Sequence, residues 1–162
     1  MCSRSRSTST DGLRDGARAA LRGRITNALL VVAAIERVPS ELAGRADEIT
    51  LNFPWGSLLR GIVRAEPAVL RGLAALARPG APLRLLLSIG ARDAASGVRP
   101  EDLLGIRLCA GRFADAGLWL ERCQQATTDE VNASGSSWAK RLGARRPVLS
   151  MRLRRLPSAA LC

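Results

Sequence analysis

With 162 residues and 47% hydrophobic side chains, the chain has room for one domain with a real core and lies far from the disordered range. Its net charge of +11 rests almost wholly on arginine, Lys140 being the sole lysine, and such a surplus favours a phosphate-bearing partner. Histidine is absent, Cys2, Cys109, Cys123 and Cys162 are scattered, and no apolar run reaches the roughly 20 residues of a membrane span, so hydrolase triads, zinc sets and membrane passage are set aside.

Codon bias explains arginine over lysine but not the excess of cations. The unpaired cysteines read as reduced thiols of a cytoplasmic protein.

In chain order, residues 1–10 are polar and low in complexity, which predicts a disordered or out-of-frame leader ahead of a domain over 11–162. A helix is expected from Asp11, with Leu13, Ala17, Ala20 and Leu21 on one face and Gly23 ending it. Residues 28–34 form a continuous apolar run, which suits a parallel strand buried on both faces. Glu36 is the first polar side chain at its exit. A turn and short helix follow at 39–42, then a strand at 49–53 and a helix at 58–64. Pro67 opens a longer helix through 78, with Val69, Leu70, Leu73 and Leu76 inward, and Pro79-Gly80-Ala81-Pro82 stops it. Residues 83–89 read as a strand and 90–100 as a polar loop, followed by a short turn at 101–104. A helix ends at Gly117, and a strand runs over 118–123 with Trp119 taken as packing. Thr127-Thr128-Asp129-Glu130 matches a capping box. The last strand is expected over 148–153, antiparallel to the one before it. Strands alternating with helices predict an α/β sheet.

Two stretches carry the chemistry. Phe53-Pro54-Trp55-Gly56-Ser57-Leu58-Leu59 ends a strand, and the carboxyl ends of strands face the ligand crevice of an open α/β sheet. Trp55, between a Pro that fixes the chain and a Gly that frees it, is placed equally well for stacking on a flat ligand or for packing at a turn. Ser136-Ser137-Trp138-Ala139-Lys140-Arg141-Leu142 offers a second Trp among hydroxyls and cations, with Arg145 and Arg146 close behind. Together, and with Ala33-Ala34-Ile35-Glu36 and Pro39, they resemble the 16S ribosomal RNA (adenine-1408) N1-methyltransferases of the kanamycin–apramycin resistance type, in the right order over about residues 11–157.

The resemblance implies a class I methyltransferase sheet, Rossmann-like, of which the chain holds the third to seventh strands without the first two and without the glycine-rich turn. A sheet so shortened exposes edges, and low stability or a different assembly is expected. It implies S-adenosylmethionine as cofactor, with Ala34, Ile35, Glu36, Ser57 and Ser136 at the cofactor pocket and Ile35 crowding the adenine where the family has a small residue. Trp55 and Trp138 would stack on the target adenine. Lys140, Arg141, Arg145 and Arg146 would hold phosphates of 16S rRNA in the 30S subunit, and no metal or membrane is implied. Aminoglycoside resistance would follow. The alternative is a non-catalytic RNA-binding remnant, and a third reading is an interaction protein whose arginines reflect codon usage alone.

Overall fold

The structure is a computed structural model that describes residues 27–28, 31–137, 139 and 146–157. The chain divides into two units, Met1–Ala34 and Ile35–Cys162, and every regular element described belongs to the second. The readings for residues 1–10 and for the helix from Asp11 lie outside the described residues.

The second unit runs β1 (Ile49–Asn52), α1 (Gly56–Val63), α2 (Pro67–Leu76), β2 (Pro82–Leu87), α3 (Asp102–Gly105), α4 (Ala110–Asp115), β3 (Leu118–Gln125), α5 (Thr128–Ala133) and β4 (Leu149–Arg155). Short 3₁₀ turns stand at Ile35–Arg37, Ser40–Leu42, Ala91–Ser96 and Ile106–Cys109. The sheet order is β1-β2-β4-β3. β1 and β2 are parallel, Ile49 opposite Leu83 and Asn52 opposite Leu86, whereas β4 is antiparallel to both β2 and β3. β1, β2 and β3 therefore all finish at the same edge.

Alternation along the strands decides the two faces. Leu83, Leu85 and Leu87 of β2, with Met151 and Leu153 of β4, point to one side and are buried. Helical spacing supplies the opposing layer: Leu59, Ile62 and Val63 of α1, and Val69, Leu70 and Leu73 of α2. Ile106 and Phe113 complete it. Each such side chain contributes roughly 1.5–3 kcal/mol when fully buried, so this layer dominates the stability of the unit. On the other side of the sheet Arg84, Arg122 and Arg152 are exposed.

Two expectations need correction. Residues 31–34 of the apolar run are irregular, with Val31 48% and Val32 65% exposed. The side chains favour a strand, but a strand forms only when a neighbour takes its backbone N–H and C=O groups, and these residues belong to no ladder. Trp119 is 56% exposed, because the alternation of β3 turns Leu118 and Leu120 inward and Trp119 to the polar face. β3 also continues to Gln125, where pairing with Ser150 and Leu149 holds two glutamines in the strand against their weak propensity.

Candidate functional site at the carboxyl edge of the sheet

At the end of β1 the backbone departs from the strand within one residue. Phe53 adopts φ 55, the left-handed region that costs a non-glycine residue about 1–2 kcal/mol. Its N–H donates to the Leu86 carbonyl at 2.8 Å as a last rung beside β2, and its ring is buried with Leu86 and Val148. Burial of the phenyl group offsets the backbone cost. Trp55 then returns to extended backbone as the N-cap of α1, and Gly56 takes φ 63, which only glycine adopts freely. The turn leaves Trp55 63% exposed and Ser57 exposed in the first turn of α1. The packing placement open to Trp55 on sequence is not the one observed, since the ring lies largely exposed.

The second stretch is anchored from the other side. Thr127 and Glu130 form both halves of the capping box: the Glu130 N–H donates to Thr127 Oγ1 at 3.2 Å and the Thr127 N–H to Glu130 Oε2 at 2.9 Å. α5 so fixed delivers Ser134, whose carbonyl accepts from Asn52 Nδ2 at 3.3 Å and whose hydroxyl accepts from the Ser136 N–H at 3.3 Å. Ala139 packs on the Phe53–Leu86–Val148 cluster together with Ala126 and Val131. Phe53 of the first motif and Ala139 of the second thus share one small apolar cluster, although they are far apart in sequence. That shared cluster brings the two turns to one edge.

Arg146 joins them from the segment before β4. Its guanidinium lies against Gly90, where any side chain on residue 90 would collide with it, and Ser88 Oγ donates to the Pro147 carbonyl at 3.3 Å. The cation therefore stands at the carboxyl end of β2. Ile35 and Glu36 occupy the 3₁₀ turn laid on α2, whose Gly72 admits the Ile35 carbonyl because it has no side chain. Ile35 is half-buried and packs with the main core, and Glu36 is exposed. Ala34 is exposed and irregular and belongs to the first unit. Trp138, Lys140, Arg141 and Arg145 lie outside the described residues.

Sequence reasoning missed three contributors. Asn52 ties β1 to the α5 exit, Phe53 stores the bend, and Gly72 seats the Ile35–Arg37 turn. Asn52 and Phe53 stood inside the motif already marked, as a polar residue and an aromatic at a strand end. Gly72 gave the weaker signal of a glycine in a helix interior, which usually marks close packing.

The family model for 16S rRNA (adenine(1408)-N(1))-methyltransferases of the NpmA type matches residues 8–156. The 16S rRNA (adenine(1408)-N(1))-methyltransferase of Streptoalloteichus tenebrarius is 35% identical over 126 residues, covering 75% of this chain and 58% of that enzyme. The crystal structure of the 16S rRNA methyltransferase KamB superposes with a TM-score of 0.72 at 35% identity, over 89% of this chain and 71% of that one. A Trp-to-Ala variant of the enzyme from Catenulisporales acidiphilia, solved with its cosubstrate SAM, gives 0.64 at 33% identity, over 78% and 60%. The chain spans about three fifths of the length of the Streptoalloteichus and Catenulisporales enzymes. The sheet is that of an S-adenosylmethionine-dependent methyltransferase, as the resemblance implied, and the chain belongs to the family of 16S rRNA (adenine(1408)-N(1))-methyltransferases.

Proposed function

We propose that this chain serves the transfer of a methyl group from S-adenosylmethionine to N1 of an adenine in the 16S rRNA decoding site of the 30S subunit, in the cytoplasm, with aminoglycoside resistance as the outcome. The observation that carries the reading is the cluster of Phe53, Leu86, Val148 and Ala139, which joins the turn that bears Trp55 to the second motif at Ala139.

The edge fits the adenine side of such a cofactor. The Glu36 carboxylate is an exposed acceptor next to apolar Ile35, and the Ser57 hydroxyl is exposed in the first turn of α1; neither has a partner among the described residues. Both are available to a purine with its exocyclic amine and ring nitrogens. Ser136 would add a hydroxyl near the transferred group. No glycine-rich turn follows a strand among the described residues, so the methionine side is given no residues here. Bound cofactor would supply an electrophilic methyl group on sulfonium.

The protein's own part is placement. A base within folded RNA is flipped out before it reacts, and the exposed face of Trp55 gives it a surface, with Trp138 as the second. Stacking of this kind contributes roughly 1–3 kcal/mol per base. Adenine N1 bears a lone pair and no proton, so alignment suffices and no general base is assigned. Arg146, with Lys140, Arg141 and Arg145, would take phosphates, which set register without reading sequence.

The test is methyl transfer from radiolabelled S-adenosylmethionine to purified 30S subunits, with reverse-transcription arrest reporting the modified position. Cofactor binding by calorimetry runs in parallel. Arrest at a single decoding-site adenine is expected. RNA binding without cofactor binding or transfer would overturn the enzymatic reading in favour of an RNA-binding remnant.

A further inference from the structure

The face of the sheet opposite the α1–α2 layer, which among the described residues only α5 overlaps, carries a pattern that the carboxyl edge does not use. Arg84 of β2, Arg152 of β4 and Arg122 of β3 stand in one row, Arg84 opposite Arg152 and Arg152 opposite Arg122. Like charges directly opposite one another on a sheet are destabilising. Arg84 is compensated by Glu48 at 3.0 Å. Arg122 and Arg152 are exposed and have no acidic or hydrogen-bonding partner among the described residues.

The chain has the means to avoid this arrangement. A regular ladder beyond the Leu120–Leu153 pair would set Glu121 opposite Arg152 as an ion pair. Instead the register shifts between Leu120 and Arg122, and the bulge puts Arg122 opposite Arg152. Bulges of this kind re-aim side chains and concentrate beside functional sites. Glu121 is turned to Arg154 instead. The row lies in a trough of about 330 Å³ whose lining also includes Thr50 and Ser150, and α5 closes one end of it with Glu130. The Glu130 carboxylate is already engaged by the Thr127 N–H and the Ser150 hydroxyl. On the same face Trp119 is 56% exposed beside Arg154.

Uncompensated guanidinium groups with an exposed aromatic on a sheet face are the combination that holds single-stranded nucleic acid, phosphates on the cations and a base on the ring. We propose that this face is a second RNA-contact surface, taking a single-stranded segment whose phosphates pair with Arg122 and Arg152 and one of whose bases stacks on Trp119. It rests on the reading above that the partner is RNA, but its cations and Trp119 lie on a face of the sheet, in a trough that meets the carboxyl edge only at Asn52 and Ser134.

The test uses the full chain and a fluorescein-labelled oligouridylate of about 12 nucleotides, with anisotropy measured across a potassium chloride series. Each single-strand phosphate contact contributes about 0.7 to the slope of log affinity against log salt. The Arg122→Gln/Arg152→Gln double variant is expected to lower that slope by about 1.4, and Arg152→Lys, which keeps the charge, to retain it. Trp119→Ala is expected to weaken binding about fivefold or more with the slope unchanged. Both arginines are exposed and repel one another, so the double variant should melt at or slightly above the parent temperature. An unchanged slope in a folded double variant would overturn the proposal while leaving the edge intact. So would displacement of the oligonucleotide by polyglutamate together with indifference to Trp119→Ala, which would assign the face to an acidic protein segment. Failure of the parent chain to bind either the oligonucleotide or 30S subunits would overturn the RNA reading itself.

Discussion

Replacing Gly72 by alanine tests whether the Ile35–Arg37 turn is seated as described. In an ordinary helix interior this change adds about 1 kcal/mol of stability, since glycine is the poorer helix former. Here a Cβ on residue 72 would stand 1.8 Å from the Ile35 carbonyl oxygen and 2.8 Å from its carbon, where ordinary contact begins at 3.4 Å. Turn and helix must then part by about 1.6 Å, and the obstacle is backbone, which has no rotamer to yield. Overpacking of this kind costs typically about 1–3 kcal/mol, so the gain in helix propensity is cancelled or exceeded. The expected result is a melting temperature unchanged or a few degrees lower, with faster amide exchange confined to the Ile35–Arg37 turn. Displacing Glu36 also removes a charged hydrogen bond from the proposed cofactor pocket, about 1.5–3 kcal/mol, or tenfold or more in S-adenosylmethionine affinity. Hydrogen-exchange mass spectrometry of the peptide over 35–42, a melt, and calorimetry read the three effects. A Gly72→Ala protein that melts higher by the full propensity gain, with unchanged protection at Ile35–Arg37, would refute the packing argument.

Trp55→Ala should leave thermal stability within about 0.5 kcal/mol, because the ring is largely exposed, while lowering methyl transfer by the worth of one stacked base, roughly 1–3 kcal/mol; transfer at the parental rate would remove the stacking role. Trp138→Ala should abolish methylation in the primer-extension assay while 30S binding by sedimentation stays mostly intact. Thr127→Ala breaks the capping box at the start of α5 and should cost about 1 kcal/mol in urea unfolding, loosening the Ser134–Ser136 turn; a variant as stable as the parent would mean the α5 N-terminus needs no cap.

Much of the candidate site was legible because its signals are local. Pro54 and Gly56 flank Trp55 and announce a turn at a strand end, and the capping box at Thr127 and Glu130 names its own helix start. Helical spacing in α2 picked out Val69, Leu70, Leu73 and Leu76, of which the first three are buried and Leu76 is half-buried. Trp119 shows the opposite case. Its neighbours Leu118 and Leu120 fix the alternation, but which face the main helical layer covers is decided by elements elsewhere in the chain. The expected strand fails over residues 31–34 for a related reason: strand propensity is a statement about fitting a pleated surface, and pairing is supplied by another strand.

The sequence by itself determined the order of the strands and longer helices from β1 to β4, the turn that frees Trp55, and the family to which the chain belongs. These rest on periodicity, turn residues and short motifs, all read within a few positions. Only the tertiary structure decided that Phe53 and Ala139 meet in one cluster, that Asn52 reaches Ser134, and that a bulge in β3 sets Arg122 against Arg152. Each is a contact across dozens of residues, settled by strand order and register, and a one-residue change of register exchanges every side chain between the faces of a sheet.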